Sequence, residues 1–345
     1  MMRLMGQVFA GRYELVDLVG AGAHGSVWRV WDRRERRYVA GKVLSQADSV
    51  AIVRFIREQG LRFEHQHIVA PLGWVGEDDR VMFTMPLVRG GSLSTLLSDY
   101  GALPERWVLL IADQLLSALE VVHAAGVVHR DVKPHNILLS PGNQPHVWLS
   151  DFGTAVTVDE DVPRLTRLHH VVGTPGYLSP EAAVGADPDP LQDLYAAGVV
   201  LWQAVTGERP PRDGAPVVSA ALAVTALGGF IVGLLAPAGS RTESAAEARR
   251  QLRRIPLPSE QPDEPIEVFD QVPALPDGWG TPDVTPSAFA ARVDVPTVVG
   301  PAPEVGQSAP LAERSARRLW PLVLSGMVSA IGLLLLVAAA VVWFS

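Results

Sequence analysis

Early in the chain, apolar and polar positions alternate in short runs. Tyr13–Val19, Val27–Trp31, Val39–Leu44, Ile68–Val75 and Val81–Met85 are rich in branched and aromatic residues, with Gly, Asp and charged turns between them. That pattern predicts strands. A helix-like stretch, Ser49–Phe63, interrupts them. From Leu93 the period lengthens, and between Pro104 and Ala125 apolar residues fall at Val108, Ile111, Leu115, Leu119 and Val122, one face of a long helix. Strands first and helices after predict an α+β chain, a small β-rich lobe on a larger helical one.

Two later runs are apolar throughout. Pro216–Ala236 carries no charge over about 20 residues and, taken alone, reads as a membrane span or as core helices. Trp320–Phe344 is 25 residues long without a charge, enough to cross a hydrocarbon core of ~30 Å with some tilt. Trp320 and Trp343 sit where indoles favour the interface, and Arg314, Arg317 and Arg318 precede the run. These features predict a single-pass transmembrane helix at 320–344, with the bulk of the chain on the cytoplasmic face of the plasma membrane and almost nothing outside. Met1–Ala10 lacks a signal-peptide pattern, so secretion of the front of the chain is not expected. Between the runs, prolines make up about a fifth of Pro256–Pro310, with many acids and little periodicity. Residues 256–319 are therefore expected to be a disordered linker, the other reading being a small extra domain.

Composition sharpens this. There is no cysteine, which excludes disulfides and thiolate metal sites. The net charge of −8 is concentrated: residues 256–313 hold ten acids and one base, so the remainder is close to neutral and gives no support for nucleic-acid binding. Of 29 basic residues only Lys42 and Lys133 are lysine; the other 27 are arginine. The two lysines should stand where a compact ammonium is needed and a planar guanidinium will not serve.

Both lie in motifs. Gly20-Ala-Gly22-Ala-His-Gly25-Ser-Val27 joins two predicted strands, and glycines there let backbone N–H groups approach phosphates. A dinucleotide fingerprint would open a helix; this one continues as a strand, which favours a flap over ATP. Lys42, on the third strand in Val39-Ala40-Gly41-Lys42, would bind phosphates and be held by a carboxylate of the following helix. Glu58 is the better choice for that acid and Glu64 the weaker. His129-Arg130-Asp131-Val132-Lys133-Pro134-His135-Asn136 puts an acid for a substrate hydroxyl, a lysine for a phosphate and an amide for a metal on one loop. Asp151-Phe152-Gly153 follows with a Mg²⁺ ligand in Asp151 beside Asn136, a sparse set that suits Mg²⁺ and leaves Mn²⁺ as an alternative.

With these motifs in this order, residues 13 to 254 resemble the bacterial eukaryotic-like Ser/Thr protein kinases, especially the membrane-anchored actinobacterial kind. The resemblance implies a bilobal protein kinase fold over residues 1–255, an N-lobe at about 10–88 and a C-lobe at about 89–255. It places Gly20, Gly22, Gly25, Val27, Ala40 and Lys42 around ATP, with Met85 as gatekeeper, Pro86–Val88 as hinge and the Val88 backbone on adenine. Gly173-Thr174-Pro-Gly-Tyr-Leu-Ser-Pro180-Glu181 matches the substrate-docking loop and A-P-E element, with Ser179 in place of Ala. Thr174 would bridge Asp131 and Lys133, which together with Lys133-Pro134 marks the Ser/Thr branch. Asp193 would order the catalytic loop, and Arg241 would pair with Glu181, which makes Pro216–Ala236 core helices, since a bilayer between the partners would forbid the contact.

The resemblance also implies activation by a loop phosphate that pairs with Arg130, and Thr166 is the expected autophosphorylation site. Three departures stand out: Gly41 should loosen its strand slightly, Pro86 sits where only a carbonyl is needed, and Arg62 falls at an apolar spine position. His169-His170 and the cluster Arg249-Arg250 with Arg253-Arg254 read as solvated. The expected activity is transfer of the γ-phosphoryl of ATP to Ser/Thr of cytoplasmic proteins. Phosphothreonine-binding partners at Thr281-Pro282 and Thr285-Pro286, and a homodimer, are further expectations. The alternatives are a pseudokinase scaffold or a nucleotide-regulated membrane adaptor.

Overall fold

In the computed structural model, residues 6–22, 25–45, 63–77, 80–152, 155–157, 173–259, 265–276 and 279 are described. Glu58, Arg62, Thr166, His169-His170, most of the 256–319 segment and the apolar run 320–344 lie outside them.

Six strands form one antiparallel sheet in the order β1-β2-β3-β4-β6-β5: β1 Val8–Phe9, β2 Tyr13–Gly22, β3 Gly25–Asp32, β4 Arg37–Ser45, β5 Gly73–Glu77 and β6 Arg80–Met85. Alternation sends Leu15, Trp28, Val30, Val43 and Met82 into one buried layer. Gly41 does not loosen this sheet. A Cβ there would stand 2.6 Å from Val30 Cγ2 and 2.8 Å from Met82 Sδ, so neighbouring side chains already occupy its space.

The larger lobe is helical: α1 Leu93–Tyr100, α2 Glu105–Ala124, α3 Pro180–Ala183, α4 Pro190–Thr206, α5 Ala220–Ala223, α6 Ala226–Leu235 and α7 Ala245–Leu252. Asp189 caps α4 through Leu191 N–H, with Pro190 in the first turn, and Gly207 ends it at φ 72°, a conformation that costs glycine little. The apolar run expected as core helices folds as α5 and α6. Leu227, Phe230, Ile231 and Leu234 are buried, and Gly198 of α4 lets Leu234 approach where a Cβ would stand 2.8 Å away. At ten residues α6 is too short to span a bilayer. Among the described residues one helix, α2, is long and apolar enough to cross a membrane, and it is mostly buried in the protein core.

One expectation needs correction. Arg249 is not merely solvated: its guanidinium meets Asp113 on α2 at 2.8 and 3.1 Å, and Arg253 meets the same carboxylate at 3.2 Å. Packing against the helical lobe also continues past residue 255. Ile266 and Val268 are buried and Val268 pairs with Gly142 in an antiparallel bridge, because two apolar residues at strand spacing find a groove on the helical lobe. A proline-rich segment unable to fold alone can still be held by a preformed surface.

The lobes meet along Phe63–Val69. Three short strands follow in the helical lobe, β7 Val127–Val128, β8 Ile137–Leu139 and β9 Val147–Leu149; Val69 N–H donates to Leu149 O (2.9 Å) and Leu149 N–H to His67 O (2.8 Å), tying this segment to β9. His67 is buried there with Nδ1 2.9 Å from Val147 O and its ring against His146, and burial pushes its pKa down to about 4. A folded-state pKa below the ordinary histidine value means the unfolded chain takes the proton more readily, so stability falls as pH drops below about 6.5 and continues to fall toward 4. Thermal melts between pH 7 and 5 should show this loss, and a His67→Asn protein should show a smaller pH dependence; an unchanged one would refute the assignment.

Candidate active site

One face of the sheet forms the roof of the cleft. Val27 stands opposite Lys42 across the β3–β4 pair, and Ala40 opposite Met85 across β4–β6. Residues two apart on a strand share a face, so Val27, Ala40, Lys42 and Met85 point the same way. Gly20 is opposite Val27, and the β2–β3 turn closes with Gly22 opposite Gly25. Gly25 has φ 122°, and a Cβ there would lie 2.5 Å from Val43 O, so both backbone angle and space require glycine. The Lys42 ammonium crosses the cleft to Asp151 Oδ1 at 2.7 Å. Its expected partner Glu58 is outside the described residues. Val88 lies in the connection between β6 and α1.

The floor is a loop suspended from α4. Asp193, fully buried, accepts from His129 N–H and Arg130 N–H, each at 2.8 Å, and its Oδ2 lies 2.9 Å from His123 Nε2. Burial alone would raise this carboxyl, but the hydrogen bonds hold it below the ordinary aspartate value. Arg130 (φ 69°) and Asp151 (φ 61°) take left-handed backbone angles that non-glycine residues rarely adopt, a strain the surrounding bonds sustain. Asp131 sits between two donors: Asn136 Nδ2 donates to its Oδ2 and Thr174 Oγ1 to its Oδ1, both at 2.8 Å. Lys133 Nζ reaches Asp131 Oδ2 and Thr174 Oγ1, both at 2.7 Å. Pairing of β8 (Ile137–Leu139) with β9 sets Ile137 opposite Leu149, and Ser150 donates to Asn136 O through both N–H and Oγ, so Asn136 and Asp151 end side by side in the chain trace.

Behind this floor the A-P-E element is locked from the other side. Arg241, whose side chain has no exposed surface, donates to Glu181 Oε1 at 2.6 Å and to Leu191 O at 2.7 Å, and lies 5.0 Å from the Tyr195 ring. Burial pushes the Glu181 carboxyl up, but the Arg241 bonds bring it below the usual glutamate range. Ser179, in place of Ala, caps α3 by accepting from Ala182 N–H, a bond alanine could not make.

The protein kinase domain model matches residues 13–225. The chain belongs to the protein kinase family. It is 38% identical over 228 residues to the serine/threonine-protein kinase PknA of Mycobacterium tuberculosis (strain ATCC 25618 / H37Rv), covering 62% of this chain and 52% of that one. It is 39% identical over 220 residues to PkaA of Streptomyces coelicolor, covering 59% and 40%, and 39% over 216 residues to pkn3 of Myxococcus xanthus, covering 60% and 40%. The chain therefore spans about half the length of these relatives, or less. The resemblance to bacterial Ser/Thr protein kinases holds.

Sequence reading missed a column of rings. Phe63, 8% exposed, stacks on Phe152 at 5.4 Å, and Phe152 meets His129 edge-on at 4.8 Å. Arg62 itself lies outside the described residues; its neighbour Phe63 supplies an apolar contact to Phe152. Also missed were His123 behind Asp193 and the buried Arg29, whose only signal was the short charge alternation of its strand.

Glu181→Ala should leave the Arg241 charge buried without its carboxylate and cost about 3 kcal/mol. Chemical denaturation reads this directly; a loss under about 0.5 kcal/mol, the range of ordinary surface changes, would mean the pair carries no stability.

Proposed function

We propose that this chain is an active Ser/Thr protein kinase that transfers the γ-phosphoryl group of ATP to Ser/Thr hydroxyls of proteins. The observation that carries the reading is the closed set Asp131–Thr174–Lys133, with all contacts between 2.7 and 2.8 Å. The bond from the γ-phosphorus to its bridging oxygen breaks, ADP leaves, and a new bond forms to the substrate hydroxyl oxygen, whose proton passes to Asp131. Thr174 and Asn136 fix the rotamer of that carboxylate. Lys133 would pair with the transferring phosphoryl and Lys42 with the phosphates behind it, both as ammoniums that need no planar fork.

The residues present fit a Mg²⁺ ion: Asp151 supplies a carboxylate and Asn136 an amide, a sparse set suited to a cation that keeps waters and takes phosphate oxygens. When bound, the ion would neutralise phosphate charge. A small hollow lined by Arg130, Thr174, Tyr177, Leu178 and Gln192 adjoins Asp131 and suits the substrate residues flanking the acceptor. Thr166 is the proposed activating autophosphorylation site, and residues 320–344 the membrane anchor, a reading supported by their length, lack of charge and flanking Trp and Arg.

Incubating the full chain with labelled ATP and Mg²⁺ should label Ser/Thr of the chain itself and of added protein. Asp131→Asn should lower the rate at least ~100-fold; equal labelling, or none in either, overturns the proposal. Loop phosphate found at Thr166, with activity falling in Thr166→Ala, is expected from the same reactions, and full activity in that variant would remove the site from the mechanism. Carbonate washing should leave the chain in the membrane fraction; its release would contradict the anchor.

A further inference from the structure

Beyond α7 the chain climbs back across the molecule. Its first part is fixed to the helical lobe, where Tyr100 Oη donates to Glu267 O (3.1 Å) and Val268 and Gly142 exchange two backbone bonds, at 2.9 and 3.0 Å. Its middle lies on the connection between the lobes. Gln271 N–H donates to Arg89 O at 2.7 Å, and the Arg89 guanidinium meets Asp270 at 2.6 Å. The fit there is close: a Cβ on Gly90 would stand 2.6 Å from Val268 Cγ1 and 2.5 Å from Leu139 O.

Its end reaches the sheet. Arg29 of β3 is 4% exposed; Nε and Nη2 bond the two oxygens of Asp17 at 2.6 Å, Nη1 donates to Pro273 O at 2.9 Å and Nη2 to Ala274 O at 3.1 Å. A buried guanidinium has five donors in a fixed fork and is costly to leave partly unpaired. The carboxylate satisfies one edge of that fork, and the carbonyls of Pro273 and Ala274 satisfy the other.

We propose that residues 266–274 form a strap that sets the angle between the lobes and so positions the Lys42 face of the sheet over Asp151, a positioning element of the kinase. Because one short segment is bonded to the helical lobe, to the connection and to β3, the lobes cannot open widely while all three sets hold. The nucleotide cleft lies between the two bodies it joins, so releasing the strap lets Lys42 and Asp151 drift apart. This rests on the kinase reading above, but its consequences for geometry do not require turnover.

The absence of cysteine allows clean labelling. In the full chain, spin labels at Arg34→Cys and Glu243→Cys, both exposed, report the distance between lobes, and Val268→Asp puts a carboxylate into the groove that holds the strap. We expect fast amide exchange at residues 268 and 271, a broader inter-label distance distribution, and a MgADP Kd raised between about 5- and 30-fold. Arg89→Glu should act the same way more weakly, and adding Asp270→Arg should restore affinity, which general damage to the fold would not allow. Released strap amides with an unchanged distance distribution and unchanged MgADP affinity would overturn the proposal, as would unprotected strap amides in the parent chain. The measurements are repeated in an Asp131→Asn protein, so a chain without kinase activity defeats the functional reading while the strap is judged on its own data.

Discussion

A carboxylate removed from water holds the loop around Asp131. Asp193 sits on α4, and its two oxygens fix consecutive backbone N–H groups at His129 and Arg130. Charge-assisted bonds of this kind are stronger than neutral ones, and in a low-dielectric site they are hard to exchange for solvent. They sustain a left-handed turn at Arg130, and that turn delivers Asp131 to Asn136 and Thr174. The contacts of Asp131 with Asn136 and Thr174 depend on where those N–H groups are held. The helix that bears Asp193 is buried along most of its length, so the loop inherits the rigidity of the core.

The lobes are coupled in several places by different physics. The Phe63–Val69 segment adds backbone bonds to β9, the rings of Phe63, Phe152 and His129 pack in a column, and the Lys42–Asp151 pair closes the cleft. Apolar stacking tolerates small shifts; a 2.7 Å ion pair does not. The column can therefore accommodate small shifts between the lobes that would lengthen the ion pair.

Much of this was legible in the sequence where the information is local. The strands of the roof and the long helix follow from periodicity, and the loop around Asp131 from residues that must lie within a few positions of one another. The Arg241–Glu181 contact, 60 residues apart, was reachable only through the resemblance to kinases. What escaped depends on the shape of neighbouring surfaces. Gly41 read as a weak point, yet it is demanded by Val30 and Met82, which packing alone reveals. Arg249 read as solvated because its acid, Asp113, lies on a distant helix. The 265–276 segment read as linker because its prolines and acids outweigh two apolar residues, Ile266 and Val268, that suffice once a groove exists.

The way Arg29 is satisfied has an evolutionary corollary. It meets main-chain oxygens of Pro273 and Ala274, which every amino acid carries, whereas Val268 is held by its buried side chain. Between these anchors, substitution away from Asp270 is cheap and a change in length is not: five residues lie between Val268 and Ala274, and one more or one fewer would misplace the carbonyls against the fork. Selection on this stretch acts as on a ruler, lenient about most of its lettering and strict about the number of divisions. Relatives that keep such a segment should be sought by its spacing rather than by its residues.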